Sequence, residues 1–182
     1  GLSQPTFDRY LSYLVQAFLV FTLPNFSGRE ASEQKRGRKL FFIDGAIRNV
    51  ALQRGLAPLD DPVERGMLLE NLTVSSLHAL SVHTGVRLFH WRDGKVEVDA
   101  IYDHPTAPVA IEVGSSPRHS KTGLRSLIER HPQFHHRSYL VTPHSPVVQP
   151  DSSSDGVGSI PLDMLLLACG HQAETAAKAQ EA

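Results

Sequence analysis

The sequence predicts a mixed α/β domain preceded by a shorter helical and strand-bearing extension. Three observations carry this. Apolar positions recur at three- and four-residue spacing from Val63 to Val82, the period of a long helix. Two β-rich runs follow, joined through Asp93-Gly94, a specific hairpin signal, and a third run comes soon after. A helical pattern and a further strand pattern come next, an order that permits a parallel neighbour in the same sheet. The chain therefore divides into an extension over residues 1–57 and a domain over residues 58–182.

Taken in order, residues 6–22 have a helical period: Phe7, Tyr10, Leu11, Leu14, Val15 and Phe18 recur on one face, with Thr6 as a plausible N-cap. Val20–Leu23 then reads as a short strand ended by Pro24. Residues 25–39 are polar and read as a loop. Lys39–Ile43 is a strand broken by Asp44-Gly45, and a helix follows through Leu52. Pro58–Pro62 is a linker into the helix Val63–Val82. Strands are expected at Val86–Trp91, Val96–Tyr102 and Pro108–Val113, a helix at Thr122–Arg130 and a strand at Ser138–Thr142. Pro143–Ser159 is rich in Pro, Ser, Asp and Gly and reads as a mobile loop. Val157–Ile160 is a candidate last strand. Pro161 at a helix N1 position would start a C-terminal helix through Ala168, with a frayed, helix-prone tail.

Composition narrows the classes. At 182 residues and 41% hydrophobic, the chain can bury an ordinary core. A net charge of −1 excludes a global basic field of the kind that draws in nucleic acid, though charge can still be local. The single Cys169 excludes an internal disulfide and fits a reducing compartment, so a cytoplasmic location is expected; in the run LLLAC it reads as a buried small hydrophobe. No apolar run approaches the roughly 20 residues that cross a bilayer. The nearest, YLSYLVQAFLVFTLP, is interrupted by Gln16 and two tyrosines. There is no signal-peptide pattern. The chain opens without Met, directly into structured-looking sequence, and reads as an excerpt of a longer protein.

The chemistry concentrates between Arg87 and Ser116. Strand side chains alternate faces, so Glu97, Asp99 and Ile101 are expected on one face, and Val96, Val98 and Ala100 on the other. On the next strand Ala110 and Glu112 share a face. The short loop Asp103–Ala107 allows an antiparallel pair that brings Asp99 beside Glu112. Adjacent carboxylates repel and raise one pKa unless a cation lies between them, and oxygen-rich pairs suit Mg²⁺ or Mn²⁺. Glu70 adds to the set: it falls on one helix face with Met67, Val74 and Leu77, a costly place for a carboxylate unless it is paired or binds metal. The bland alternative is a partly exposed Glu70 or one paired with an arginine.

Other signals are weaker. Gly114–Thr122, GSSPRHSKT, fails the spacing of a phosphate loop. His131 and His135 have i,i+4 spacing, but Pro132 disrupts the helix a metal site would need. Ser75-Ser76 forms no nucleophile elbow. Trp91 reads as sheet packing and Asp44 as a helix cap. Arg29, Lys35, Arg36, Arg38 and Lys39 form the one real basic cluster. It is either a solvated loop or a contact for nucleic-acid phosphates.

Together these segments resemble the C-terminal domain that follows the ATPase module in a group of prokaryotic AAA-type ATPases, a region of unknown function with a restriction-endonuclease-like fold. TFDRYLSYLVQAFLVFTLP is similar to the helical segment that precedes that domain. KLFFIDGAIRNVAL, RGMLLENLTVSSLHAL, LFHWRDGKVEVDAIY and VAIEVGSS are similar, in order, to its Asp-x-Gly strand, Gly-x-x-x-Glu-Asn helix, Glu-Val-Asp hairpin and Glu-Val-Lys strand. The resemblance covers about residues 6–142. It implies a PD-(D/E)xK-type core, a mixed sheet flanked by helices, in which Glu70, Asp99 and Glu112 would bind Mg²⁺ or Mn²⁺. The lysine that orients the attacking water would stand at position 114, which is Gly114; Lys121 is the candidate for a relocated one. The resemblance also makes Asp44 a secondary site candidate. It places any ATP site in an N-terminal ATPase module outside this chain, and makes that module the partner.

Three functions follow as expectations. The first is a catalytically degenerate, nuclease-like accessory domain that binds nucleic acid through Lys35, Arg36, Arg38 and Lys39, or regulates the ATPase. The second is an active Mg/Mn-dependent nuclease using Lys121. The third is a protein-interaction or oligomerisation module.

Overall fold

The computed structural model describes residues 3–27 and 37–181. Pro5 opens the first helix, α1 (Gln4–Gln16), behind Ser3, three residues ahead of the expected Thr6 cap. None of its residues is buried. The helix stops well short of residue 22 because the chain turns through Phe18, whose φ is 55°, into β1 (Val20–Pro24). β1 pairs antiparallel with β2 (Arg38–Phe42), so the expected strand after the loop begins at Arg38. Asp44 caps α2 (Gly45–Ala51) by accepting from the Ala46 N–H at 2.6 Å, as its position before Gly45 suggests.

α3 (Pro62–Thr84), with 23 residues, is the longest helix among the described residues. Asp61 accepts from the Val63 and Glu64 N–H groups, Pro62 takes the first turn, and Gly85 at φ 70° ends the helix in the left-handed region. The expected strands then form β3 (Leu88–Asp93), β4 (Val96–Tyr102) and β5 (Val109–Val113), an antiparallel meander. α4 (Thr122–Arg130) crosses over, and β6 (Ser138–Thr142) returns parallel to β5. β7 (Val157–Pro161) pairs parallel with β6, giving the sheet order β3-β4-β5-β6-β7. Pro161 is not a helix N1 residue: it closes β7 opposite Thr142, and α5 runs from Leu162 to Glu181, through the tail expected to fray. The segment before β7 is tied down by paired Val148 and Ser159 backbone bonds of 2.9 Å.

The sheet separates two apolar clusters. Val74, Leu77 and Leu80 of α3, Leu162 and Cys169 of α5, and Phe21, Leu23 and Phe41 of the β1–β2 ribbon pack with Ala100 and Ile111. Leu124 and Leu127 of α4 pack with Phe134, Trp91, Val98 and Ile101. Cys169 and Trp91 are buried, as their sequence settings suggest. Strict alternation in β4 fails. Phe89 pairs with Ile101 but Trp91 pairs with Val98, so β4 spends one extra residue there. That bulge puts Val98 and Ile101 in the same cluster and sends Ala100 to the other, against the expected grouping of Ile101 with Glu97 and Asp99. No described helix is long and apolar enough to cross a membrane.

Candidate functional site: an acidic cleft closed by a lysine

Glu70 projects from α3, Glu97 and Asp99 from β4, and Glu112 from β5. The Ala100–Ile111 register, extended by one residue, brings Asp99 level with Glu112. The ladder stops there because Asp99 Oδ2 accepts the Val113 N–H at 2.9 Å. Oxygens of Glu70, Glu97 and Asp99 lie within 4.8 Å of one another. Glu97 shares its predicted face with Asp99 but is not among the expected metal ligands Glu70, Asp99 and Glu112; it replaces Glu112 in this closest trio. The cleft has a volume of about 280 Å³ and is lined also by Glu112, Ser115 and His119.

The cation in this cleft is Lys39. Its Nζ is 2.5 Å from Glu70 Oε1, 2.5 Å from Glu97 Oε1 and 3.1 Å from Asp99 Oδ1. The sequence leaves the basic run that holds Lys39 open as a solvated loop or a phosphate contact; in the fold its ammonium lies against the carboxylates. Two asparagines set that geometry. Asn71, next to Glu70, accepts the Phe42 N–H at 3.0 Å and donates to the Phe42 carbonyl at 3.1 Å, fastening β2 to α3. Asn25 does the same for Arg92, accepting at 2.8 Å and donating at 3.2 Å, which fastens the end of β1 to β3. An asparagine inside an otherwise apolar helix face was the available signal for Asn71, because a buried amide needs partners.

Electrostatics follow from this crowding. Burial pulls the Lys39 ammonium down, but Asp99 and Glu70 together outweigh it and hold the lysine above its ordinary range. Burial pushes Glu70 up to about 7, with Asp99 adding to the push and Lys39 only partly offsetting it. Glu112 is pushed up to about 9, first by burial and then by Asp99 and Glu97. For Glu97, burial acts upward, but the hydrogen bond and charge of Lys39 together prevail and lower it. Glu112 is thus the carboxyl that keeps its proton at neutral pH. Its Oε1 lies 3.4 Å from His119 Nε2, and its Oε2 is buried with no hydrogen-bond partner.

Position 114 is closed to a side chain. A Cβ on Gly114 would meet His119 Cβ at 2.5 Å, so the histidine holds the space a lysine there would enter. Gly123 at the start of α4 is equally constrained, since a Cβ would stand 2.0 Å from the Glu97 carbonyl. The ammonium of Lys121 is directed to the Val157 carbonyl at 3.3 Å and to Asp155 at 3.9 Å. Arg38 lies at the edge of the ribbon, exposed. Lys35 and Arg36 lie outside the described residues. Asp44 is occupied as a helix cap. Among the described residues the histidines form no metal-holding group; His131 packs edge-on against Phe26, and His136 pairs with Asp151 at 2.8 Å.

Residues 65–162, more than half of the chain, match the family described as Domain of unknown function (DUF4143). The chain belongs to the DUF4143 family. Within it, all four acidic residues of the cleft fall inside the matched stretch. Residues 1–57 match a second family of the same kind of description, DUF8612, and that stretch supplies Lys39. Three of these four carboxylates, Glu70, Glu97 and Asp99, are therefore paired with one lysine from the neighbouring stretch. No curated protein and no solved structure matches the chain.

Proposed function

We propose that this chain is a nuclease-like accessory domain of an AAA-type ATPase, catalytically degenerate, that serves nucleic-acid binding or regulation of the ATPase. One observation carries it: the Lys39 ammonium lies within 3.1 Å of three carboxylates that would otherwise hold a divalent cation. An ammonium at that distance supplies one positive charge where a divalent metal would supply two, and has no open coordination position for water or phosphate. Two further facts support the reading. Gly114 offers no lysine to orient a water, and His119 closes the space where one would stand. The donor set itself suits Mg²⁺ or Mn²⁺, being oxygen only.

A second reading, an active metal-dependent nuclease, has one observation in its favour. Glu112 Oε2 is buried in the cleft with no hydrogen-bond partner, and a metal held by Glu70, Asp99 and Glu112 would satisfy it. Calorimetry with Mn²⁺ separates the two. The wild-type chain is expected to show no saturable binding at millimolar metal, whereas Lys39→Ala opens the cleft and binds. Saturable binding by the wild type that is lost in Asp99→Asn, together with metal-dependent cleavage of DNA or RNA, would replace the first reading with the second.

A further inference from the structure

β2 pairs with β1 along one edge, and among the described residues no strand pairs with its other edge. In an antiparallel pair both backbone groups of a residue point to the same side, and the side alternates along the strand. Ile43 donates to the Leu19 carbonyl at 3.0 Å on the β1 side, while Phe42 gives both of its groups to the Asn71 amide on the other. Arg38 and Leu40 are in phase with Phe42, so their N–H and C=O groups point to the outer edge. Neither residue has a backbone partner there among the described residues. Two donors and two acceptors are therefore unpaired in one line, the template that a strand edge offers to another chain.

The side chains of the same two residues line a groove. Arg38 and Leu40, with Thr22 of β1, face Phe7, Leu11 and Val15 of α1 across a volume of about 750 Å³. Phe7, Leu11 and Val15 recur at four-residue spacing, one stripe of the helix. Phe7 is 49% and Leu40 46% exposed, so the apolar lining is open to solvent. Arg38 forms no ion pair among the described residues, whereas Asp8, the carboxylate on the same groove, accepts from Gln4 Nε2 at 3.1 Å. A strand added antiparallel at this edge sets the two residues opposite Leu40 and Arg38 on the groove face, one residue apart. The first meets the α1 stripe, where an apolar side chain fits. The second meets a guanidinium, which a carboxylate matches.

A second copy of β2 does not meet these demands. Leu40 opposite Leu40 sets Arg38 against Phe42, whose edge Asn71 already occupies. Arg38 opposite Arg38 sets like charges together, and Arg38 opposite Leu40 does the same for the two Lys39 residues. None of these registers gives Arg38 a counter-charge. We propose that the outer edge of β2 takes an extended segment of another protein as an added antiparallel strand, carrying an apolar residue, then any residue, then Asp or Glu. Lys39 points its side chain to the acidic cleft from the opposite face of β2, so the docked strand and the cleft are separate sites. This goes beyond the function proposed above and does not depend on it.

The test is an NMR titration of the isotope-labelled chain with the peptide STVTETS to millimolar concentration, read at the backbone amides of β2. The same peptide N-methylated at its Val and Glu nitrogens keeps every side chain and loses the donors to the Leu40 and Arg38 carbonyls. Leu40→Pro removes an N–H that β1 does not use, a change an edge strand tolerates. Arg38→Glu is titrated with both STVTETS and STVTKTS. Arg9→Glu, on the exposed surface of α1 outside the groove, is the charge control. The spectra show whether each variant is folded. Saturable binding of STVTETS is expected, weakened about tenfold or more by N-methylation and by Leu40→Pro, the factor that corresponds to about one net hydrogen bond. The wild type is expected to prefer STVTETS, Arg38→Glu to prefer STVTKTS, and Arg9→Glu to keep wild-type affinity. No saturable binding by the wild type, equal binding of the N-methylated peptide, an unchanged preference in Arg38→Glu, or a loss in Arg9→Glu equal to that in Leu40→Pro would each overturn the proposal. A dimer of the chain in sedimentation that Leu40→Pro dissolves would assign the edge to a second copy and overturn it as well.

Discussion

Lys39 is the residue on which most of the local energetics turns. It is 24% exposed and neutralises carboxylates that are themselves mostly buried. Breaking such a pair leaves charge without compensation, a loss of about 3 kcal/mol. Lys39→Met is therefore expected to destabilise the fold by about that much at pH 8, read from chemical denaturation, and by less at pH 5, where the carboxylates take up protons. Glu112 has the opposite sign. Its folded pKa is raised to about 9 from an ordinary 4.5, so the native state holds more protons than the unfolded chain between those values. Stability therefore falls as pH rises through that window. Glu112→Gln removes the cost of ionisation, so its melting temperature should exceed that of the wild type at pH 9 and approach it at pH 5. An equal gain at both values would mean that Glu112 is already ionised at pH 5.

At the scale of elements, the β1–β2 ribbon is held to the main domain by side-chain amides bonding to backbone. Asn71 satisfies both the N–H and the carbonyl of Phe42, and Asn25 both groups of Arg92. Asn71→Ala is expected to cost about 2 kcal/mol, because it leaves two backbone groups without partners in a half-buried setting. It should also loosen Lys39, since β2 loses its tether to α3. Hydrogen exchange at Leu40–Phe42 measures this, and unchanged protection there would refute the tether. The asparagine was visible in the sequence, but its partner, Phe42, is 29 residues away. Periodicity describes one element at a time and does not reveal such a contact. The β4 bulge was hidden for a related reason: it is a property of the β3–β4 pair, and strand alternation alone assumes none.

For the whole molecule, the family matches divide the chain into residues 1–57 and 65–162, yet the structure joins them. Phe21, Leu23 and Phe41 belong to the same apolar cluster as Val74, Leu77 and Ile111, and Phe21 stacks on His78 with ring centroids 4.0 Å apart. Removing residues 1–57 would expose that cluster and strip Glu70, Glu97 and Asp99 of Lys39, the lysine they share. The piece spanning residues 58–182 is expected to lose cooperative thermal unfolding at neutral pH, monitored by circular dichroism. A sharp transition near that of the full chain would show the ribbon to be dispensable.

The mixed α/β class, the order of helices and strands from residue 62 onward, the hairpin at Asp93-Gly94 and the meeting of Asp99 with Glu112 all follow from local pattern. Each depends on periodicity, turn chemistry or a single short loop, and these are properties of neighbouring residues. The sequence also made Glu70 conspicuous, because a carboxylate on an apolar helix face demands a partner. Which partner answers was decided by tertiary packing. Lys39 is 31 residues before Glu70 in sequence and stands in a basic run that reads as a solvated surface. Only the docking of the ribbon on α3 and β3 brings its ammonium to the carboxylates, because long-range charge pairing depends on where folded elements come to rest.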